Sequence, residues 1–182
     1  MQSRTDTYVA LLRGINVGGH AIMAMSQVVA LFERQGLANV RSYIASGNVI
    51  FQTEMIHPRV LEEKIEEALA AAFRGYDAKV IVLNKTEMQR IVRELPWKRV
   101  NPAMRYNVIF LRHSIDSRSI FEGLEPKRGV ETIKYAPGVL YWAAKRSDLS
   151  ASSMAKLSRS PIYKEVTVRT VNTVKKLAEL MS

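Results

Sequence analysis

The chain has 182 residues, of which 47% are hydrophobic and 24% charged, and its formal net charge is +10. This composition is typical of a globular protein, and the absence of cysteine excludes disulfides and thiolate metal sites. No apolar run approaches the roughly 18 residues of a membrane span, and the polar first residues lack the apolar segment of a secretory signal, so we expect a cytoplasmic protein without a membrane partner.

The positive charge is concentrated in the second half of the sequence. Residues 1–90 contain ten Lys and Arg against nine Asp and Glu, whereas residues 91–182 contain seventeen against eight. Such asymmetry predicts a polyanionic partner, for example a nucleic acid. The alternative interpretation is a solvated surface that keeps the protein soluble, because the basic residues are scattered along the chain.

The first half predicts the element order βαββαβ. Residues 8–13 are apolar enough for a central strand that is buried on both faces, and a short amphipathic helix is predicted from Ser26 to Gly36. Residues 42–51 have the pattern of a β-hairpin, which is followed by a helix from Pro58 and a β-branched strand at residues 79–83. This order is the ferredoxin-like plan, in which two helices cover one face of a four-stranded antiparallel sheet.

Two details of the helices are expected from the pattern. The glutamates of residues 62–67 should lie mostly on the solvated face of the second helix, opposite its apolar positions. Thr86 and Gln89 predict a capping box at the start of the next helix, which Pro96 ends. Residues 97–104 then have the composition of a linker.

The second half repeats the plan by element order rather than by sequence identity. A strand at residues 106–111, a short helix capped by Asp116, a hairpin over residues 131–143, a helix at residues 150–158 and a strand at residues 166–168 precede a terminal helix. We therefore predict an α+β fold with two ferredoxin-like βαββαβ halves in tandem, antiparallel sheets and an extra C-terminal helix. The predicted parts are an N-terminal half at residues 1–84, a connecting helix and linker at residues 85–104, and a C-terminal half at residues 105–182.

A glycine-containing loop follows the first strand. It includes Gly14, Gly18 and Gly19, but it lacks both the Gly-Lys-Ser/Thr of a P-loop and the spacing of a dinucleotide-binding loop. One interpretation is purely conformational, since glycine allows positive φ in a bend. The other is a set of backbone N–H groups that hold a phosphate or a carboxylate together with Arg13 and Asn16.

The histidines do not predict a metal site. His20, His57 and His113 are far apart in sequence, and none has a second ligand at metal-binding spacing, so neither a metal nor a cofactor is predicted. His20 lies beside the glycine loop and is the candidate catalytic acid or base, with a surface histidine as the alternative. No serine-hydrolase motif is present.

The start of the terminal helix is a second candidate site. Thr170 is placed to cap this helix, so that its free N–H groups, Arg169, Asn172 and Thr173 would face an anion. The alternative is a capped helix whose basic residues have no ligand.

Three segments together resemble one bacterial family. The residues LLRGINVGG at positions 11–19, YIASGNV at positions 43–49, and RTVNTV at positions 169–174 followed by Leu177 are similar to the signatures of the family catalogued as domain of unknown function 1697. The third segment departs from the usual Arg-Asn-Trp-Asn-Thr, because Thr170 and Val171 stand in place of Asn and Trp. The resemblance implies an α+β fold of two ferredoxin-like halves and no established activity.

These observations lead to three functional hypotheses. The first is the binding of an anionic ligand, a nucleic acid or another phosphate-bearing molecule, at a corner formed by the glycine loop, the Ser46 turn and the Arg169 helix start. The second is a small-molecule enzyme with a pocket between the halves and with His20 or Asn16 in its mechanism. The third is an interaction module that pairs through a sheet edge. The sequence defines neither an oligomeric state nor a reaction. The predicted ligand-binding residues are Arg13, Asn16, Gly18, Gly19, Ser46, Gly47, Asn48, Arg169, Asn172 and Thr173.

Overall fold

The computed structural model describes residues 5–16, 22–112, 115, 118, 124 and 126–182. The chain divides into two compact units, Met1–Gln89 with Lys176–Ser182, and Arg90–Lys175. The strands are β1 Thr5–Leu12, β2 Ala38–Tyr43, β3 Asn48–Glu54, β4 Val80–Asn84, β5 Met104–Leu111, β6 Glu131–Ala136, β7 Val139–Lys145 and β8 Val166–Thr170. The described helices are α1 Met25–Arg34, α2 Pro58–Ala72, α3 Lys85–Arg93, α4 Ser153–Leu157 and α5 Val171–Leu180, with 3₁₀ turns at Arg146–Ala151 and Pro161–Glu165.

The first unit contains an antiparallel sheet with the strand order β2-β3-β1-β4. The central strand β1 is buried from Tyr8 to Leu12, as its continuous apolar run predicts. Alternate residues of β1 form one core with Phe32 of α1 and Leu61 of α2. The predicted hairpin is β2 and β3, and the two helices follow their apolar periodicity.

The expectation that the glutamates of α2 are mostly solvated is wrong for Glu62. This side chain is buried, and its Oε1 accepts a hydrogen bond of 3.0 Å from the backbone N–H of Val82. Glu66 accepts a bond of 2.7 Å from the N–H of Val80 in the same way. Because β4 lies at the edge of the sheet, the two carboxylates satisfy backbone donors that no strand pairs with.

The cap of α3 also differs from the prediction. The side chain of Asn84 accepts a bond of 2.8 Å from the N–H of Glu87, and the Glu87 carboxylate accepts one of 2.9 Å from the N–H of Asn84. This is a capping box two residues before the predicted Thr86 and Gln89 pair. The strand therefore runs directly into the helix, and the reciprocal bonds fix the junction.

The second unit contains a second antiparallel sheet, with the strand order β6-β7-β5-β8. Its core includes Ile109, Leu140 and Trp142 from three strand positions and Leu157 from α4. The predicted α+β chain with two tandem antiparallel sheets is confirmed. The predicted helix that begins at Asp116 lies outside the described residues, and the predicted boundaries at residues 84 and 104 stay a prediction.

Antiparallel pairing in the second unit places the start of β5 beside the end of β7 and beside the end of β8. Met104 pairs with Lys145, and Asn107 pairs with Thr170. The residues that follow β7 and β8 in the chain therefore come to the same end of the sheet as the residues that begin β5. No helix in the described part of the chain is both long and apolar enough to cross a bilayer.

Candidate functional site

The loop after β1 is tied to the β2–β3 turn by the side chain of Asn16. Its Oδ1 accepts a bond of 2.8 Å from the N–H of Met23, and its Nδ2 donates to the carbonyl oxygens of Met23 at 3.0 Å and of Ala45 at 2.9 Å. Asn16 itself has a φ of 53°, a conformation that Asn tolerates better than most residues. The side-chain amide of Asn16 therefore links its own end of the loop to Met23 at the other end, and links both to Ala45 in the β2–β3 turn.

The β2–β3 turn has its own internal support. Gly47 has a φ of +79°, and a Cβ on it would lie 2.8 Å from the Ile15 side chain and 2.9 Å from Cβ of Leu12. Its carbonyl accepts a bond of 2.8 Å from the N–H of Leu12. Asn48 is fully buried, and its Nδ2 donates to the carbonyl of Tyr43 at 3.0 Å and to Oγ of Ser46 at 3.2 Å. Glycine is therefore required here by both conformation and space.

Five of the predicted site residues belong to this first-unit cluster. Asn16, Ser46, Gly47 and Asn48 are joined as described, and the carbonyl of Arg13 accepts a bond of 2.7 Å from the hydroxyl of Tyr76. Hydrogen bonds within the protein hold the loop and turn in place. The predicted anion contacts of Gly18 and Gly19, and the predicted role of His20, lie outside the described residues and stay predictions.

Arg169 lies on β8 in the second unit, directly before the terminal helix. Its side chain is 8% exposed, and its Nη1 donates to Oγ1 of Thr167 at 2.8 Å and to the carbonyl of Val168 at 2.9 Å. These bonds hold the guanidinium against its own strand. Arg169 is therefore anchored within the second unit.

The start of α5 is capped as the sequence predicts. Oγ1 of Thr170 accepts a bond of 3.3 Å from the N–H of Thr173, and the two hydroxyl oxygens lie 3.0 Å apart. Asn172 is exposed in the first turn. The first turn of any α-helix has N–H groups without an acceptor in the helix, and the helix dipole favours negative charge there.

A groove of about 510 Å³ lies beside this helix start, within the second unit. Its walls include Arg105 at the start of β5 and Arg146 just after β7. We call this depression the basic groove. Its lining also includes Val100, Asn101, Met104, Tyr106, Thr170 and Asn172. Among the described residues that line it there is no carboxylate.

Hydrogen bonds fix the wall of the basic groove that residues 101–106 form with Arg146. The backbone N–H of Asn101 donates to the hydroxyl of Tyr106 at 3.0 Å, and Nε of Arg146 donates to the carbonyl of Pro102 at 3.0 Å. The ring of Trp97 packs edge-on against Tyr106, with centroids 4.9 Å apart. The segment predicted as a linker is therefore a structured wall.

The sequence analysis predicted the capped helix start, which the structure has, and singled out Asn172 beside it, but it did not consider Arg105 and Arg146. The two arginines are 41 positions apart in the sequence, and only the pairing of β5 with β7 brings them to one groove. The excess of basic residues in the second half was the available signal. Among the described residues no group of three His, Asp or Glu side chains is arranged to hold a metal ion.

Comparison with known proteins gives a family and a fold. A solved structure of the conserved bacterial protein SP0830 from Streptococcus pneumoniae matches 98% of this chain and 100% of its own, with 24% identity and a TM-score of 0.85. An unknown protein from Galdieria sulphuraria aligns over 92% of this chain and 98% of its own at 14% identity, but its TM-score of 0.28 is too low to indicate a shared fold. No curated protein matches.

The family match covers the first two of the three segments noted in the sequence. The sequence model described as "Protein of unknown function (DUF1697)" matches residues 5–141, which include the glycine loop and the Ser46 turn but end before Arg169. Because the match spans well over half of the 182 residues, the chain belongs to this DUF1697 family of unknown function.

Proposed function

We propose that this protein binds a phosphate-bearing ligand in the basic groove of its second unit. The observation that carries the proposal is the presence of Arg105, Arg146 and the first turn of α5 around one concave space without a lining carboxylate. Guanidinium groups match phosphate geometry, and a helix N-terminus favours an anion. The proposal keeps the predicted helix start with Asn172. It assigns the charge to Arg105 and Arg146 because both are exposed, whereas Arg169 is buried and bonded to its own strand.

The size of the groove also supports this assignment. Pockets for small ligands span about 300–1,000 Å³, and the basic groove falls within that range. The hydroxyl groups of Thr170 and Thr173 are hydrogen-bonded to each other at the cap of α5. The side-chain amide of Asn172 is exposed beside them and can orient a ligand. Such an arrangement binds a phosphate group; it does not by itself supply an acid, a base or a nucleophile.

Isothermal titration calorimetry with inorganic pyrophosphate tests the proposal, at about 50 mM salt so that charge screening is weak. The double variant Arg105→Gln with Arg146→Gln should lose at least about tenfold in affinity, since two charge-assisted contacts disappear. The matched control is Arg159→Gln with Lys164→Gln, which removes the same charge from exposed positions of the same unit outside the groove. Equal affinity of the two double variants would contradict the proposal.

A further inference from the structure

We infer that the ligand is a single-stranded nucleic acid, which passes through the basic groove and extends over a rim of cations beside it. The inference rests on the proposed phosphate site and adds the class of ligand. The rim consists of Lys98, Arg99 and Lys145, all of which are exposed. Lys98 and Arg99 precede the lining residue Val100, and Lys145 precedes Arg146.

The rim residues adjoin lining residues of the groove at two places. Lys145 pairs with Met104, which lines the groove, whereas Lys98 and Arg99 belong to the segment that is bonded to Tyr106 through Asn101. A single phosphate bound between Arg105 and Arg146 would use the groove alone. A chain of phosphates would use the rim as well.

The segments that build this surface contain no acidic residues. Residues 95–111, 139–147 and 166–175 include neither Asp nor Glu, although the whole chain has 17. In α2, by contrast, basic and acidic side chains lie close together, as in the ion pair of Arg59 with Glu63. A surface with one sign of charge attracts a polyanion over a distance set by the ionic strength, and its affinity grows with the number of phosphates neutralised.

The interior of the groove distinguishes a single strand from other polyanions. Tyr106 supplies an aromatic ring that Trp97 packs against, and Asn101 and Asn172 supply amides. Proteins bind unpaired nucleotides by combining a basic track with aromatic and amide contacts to the bases. A duplex hides its base faces, and a flat layer of lipid headgroups does not enter a concave groove.

Fluorescence anisotropy with a labelled oligouridine of about 20 nucleotides measures this binding as a function of salt. The triple variant Lys98→Gln, Arg99→Gln and Lys145→Gln should weaken binding at least about tenfold at about 50 mM salt, and should reduce the slope of log K against log salt by about 2, because each lost phosphate contact contributes about 0.7. The charge-preserving variant Lys98→Arg, Arg99→Lys and Lys145→Arg should bind like the wild type. The control for net charge, which should also bind like the wild type, is Lys134→Gln, Arg159→Gln and Lys164→Gln.

Pyrophosphate titrations separate this inference from the proposed function. The rim triple variant should bind pyrophosphate within about twofold of the wild type, because Arg105 and Arg146 are intact. If the rim variant keeps full affinity for oligouridine, or if the wild type binds pyrophosphate but not oligouridine, the inference is wrong and the groove site stands. Tighter binding to an RNA duplex or to vesicles of anionic lipid would also overturn the inference. Loss of the proposed function itself would appear as unchanged pyrophosphate affinity after substitution of both groove arginines.

Discussion

The buried carboxylate of Glu131 gives the sharpest prediction for stability. Its Oε1 accepts bonds from the backbone N–H groups of Ser153 at 2.7 Å and Lys127 at 3.1 Å, and its Oε2 accepts bonds from Nε1 of Trp142 at 2.6 Å and Oγ of Ser153 at 2.9 Å. The side chain is 6% exposed. One carboxylate thus joins β6, β7 and the start of α4 around the second core.

Replacement of Glu131 by Gln keeps the shape but leaves only one acceptor oxygen. If that oxygen faces the two backbone donors, the new amide group faces Nε1–H of Trp142, which then has no acceptor. An unsatisfied buried donor costs about 1–3 kcal/mol, and each of the two remaining backbone bonds loses a charge assistance worth about 1 kcal/mol. We therefore expect the free energy of unfolding to fall by about 3–5 kcal/mol at neutral pH.

The effect should depend on pH in a defined direction. Burial raises the pKa of Glu131, but the hydrogen bonds from Trp142, Ser153 and Lys127 together lower it by more. The pKa therefore lies below its usual 4.5. A carboxyl with a lowered pKa in the folded state contributes stability above the pKa of the unfolded chain and loses it as the pH falls through the folded value. The gap between wild type and Glu131→Gln should consequently narrow below about pH 4.5.

Urea denaturation followed by circular dichroism at several pH values measures both effects. A double-mutant cycle with Trp142→Phe isolates the bond to the indole, because the cost of Glu131→Gln should fall when that donor is absent. A difference below about 1 kcal/mol at neutral pH, or one that stays constant on acidification, would refute this account of the carboxylate.

Three further changes test the first-unit cluster and the helix cap by the same denaturation assay. Gly47→Ala should cost about 3 kcal/mol because Gly47 has a positive φ and no space for a Cβ. Gly75→Ala should cost only about 1 kcal/mol, because Gly75 has a φ of +80° but open space around it. Equal costs of the two substitutions would contradict the steric explanation. Asn16→Ala should cost about 2–3 kcal/mol and increase hydrogen exchange at the backbone amide of Met23. Unchanged exchange would show that the Asn16 side chain is not needed to hold this end of the loop. Thr170→Ala should cost about 1 kcal/mol and Thr170→Ser much less, unless the hydroxyl has no capping role.

Local patterns were sufficient to predict most of the fold. The continuous apolar run of β1 predicted a strand buried on both faces, and the helical spacing of apolar residues predicted α1 and α2. These predictions succeeded because the period of the side chains follows directly from backbone geometry. The cap of α3 was misplaced because Asn84 is also the last residue of β4, and a strand residue gives no separate capping signal.

The sequence by itself determined the α+β class, the tandem order of elements, the capped start of α5 and the excess of positive charge in the second half. Only the tertiary structure decided three features. Glu62 accepts a hydrogen bond from the edge strand β4, Asn16 joins its loop to the β2–β3 turn, and Arg105 and Arg146 line one groove with Asn172. The physical reason is that each of these contacts joins residues distant in the chain. Their proximity depends on which strands pair, and no local period contains that information.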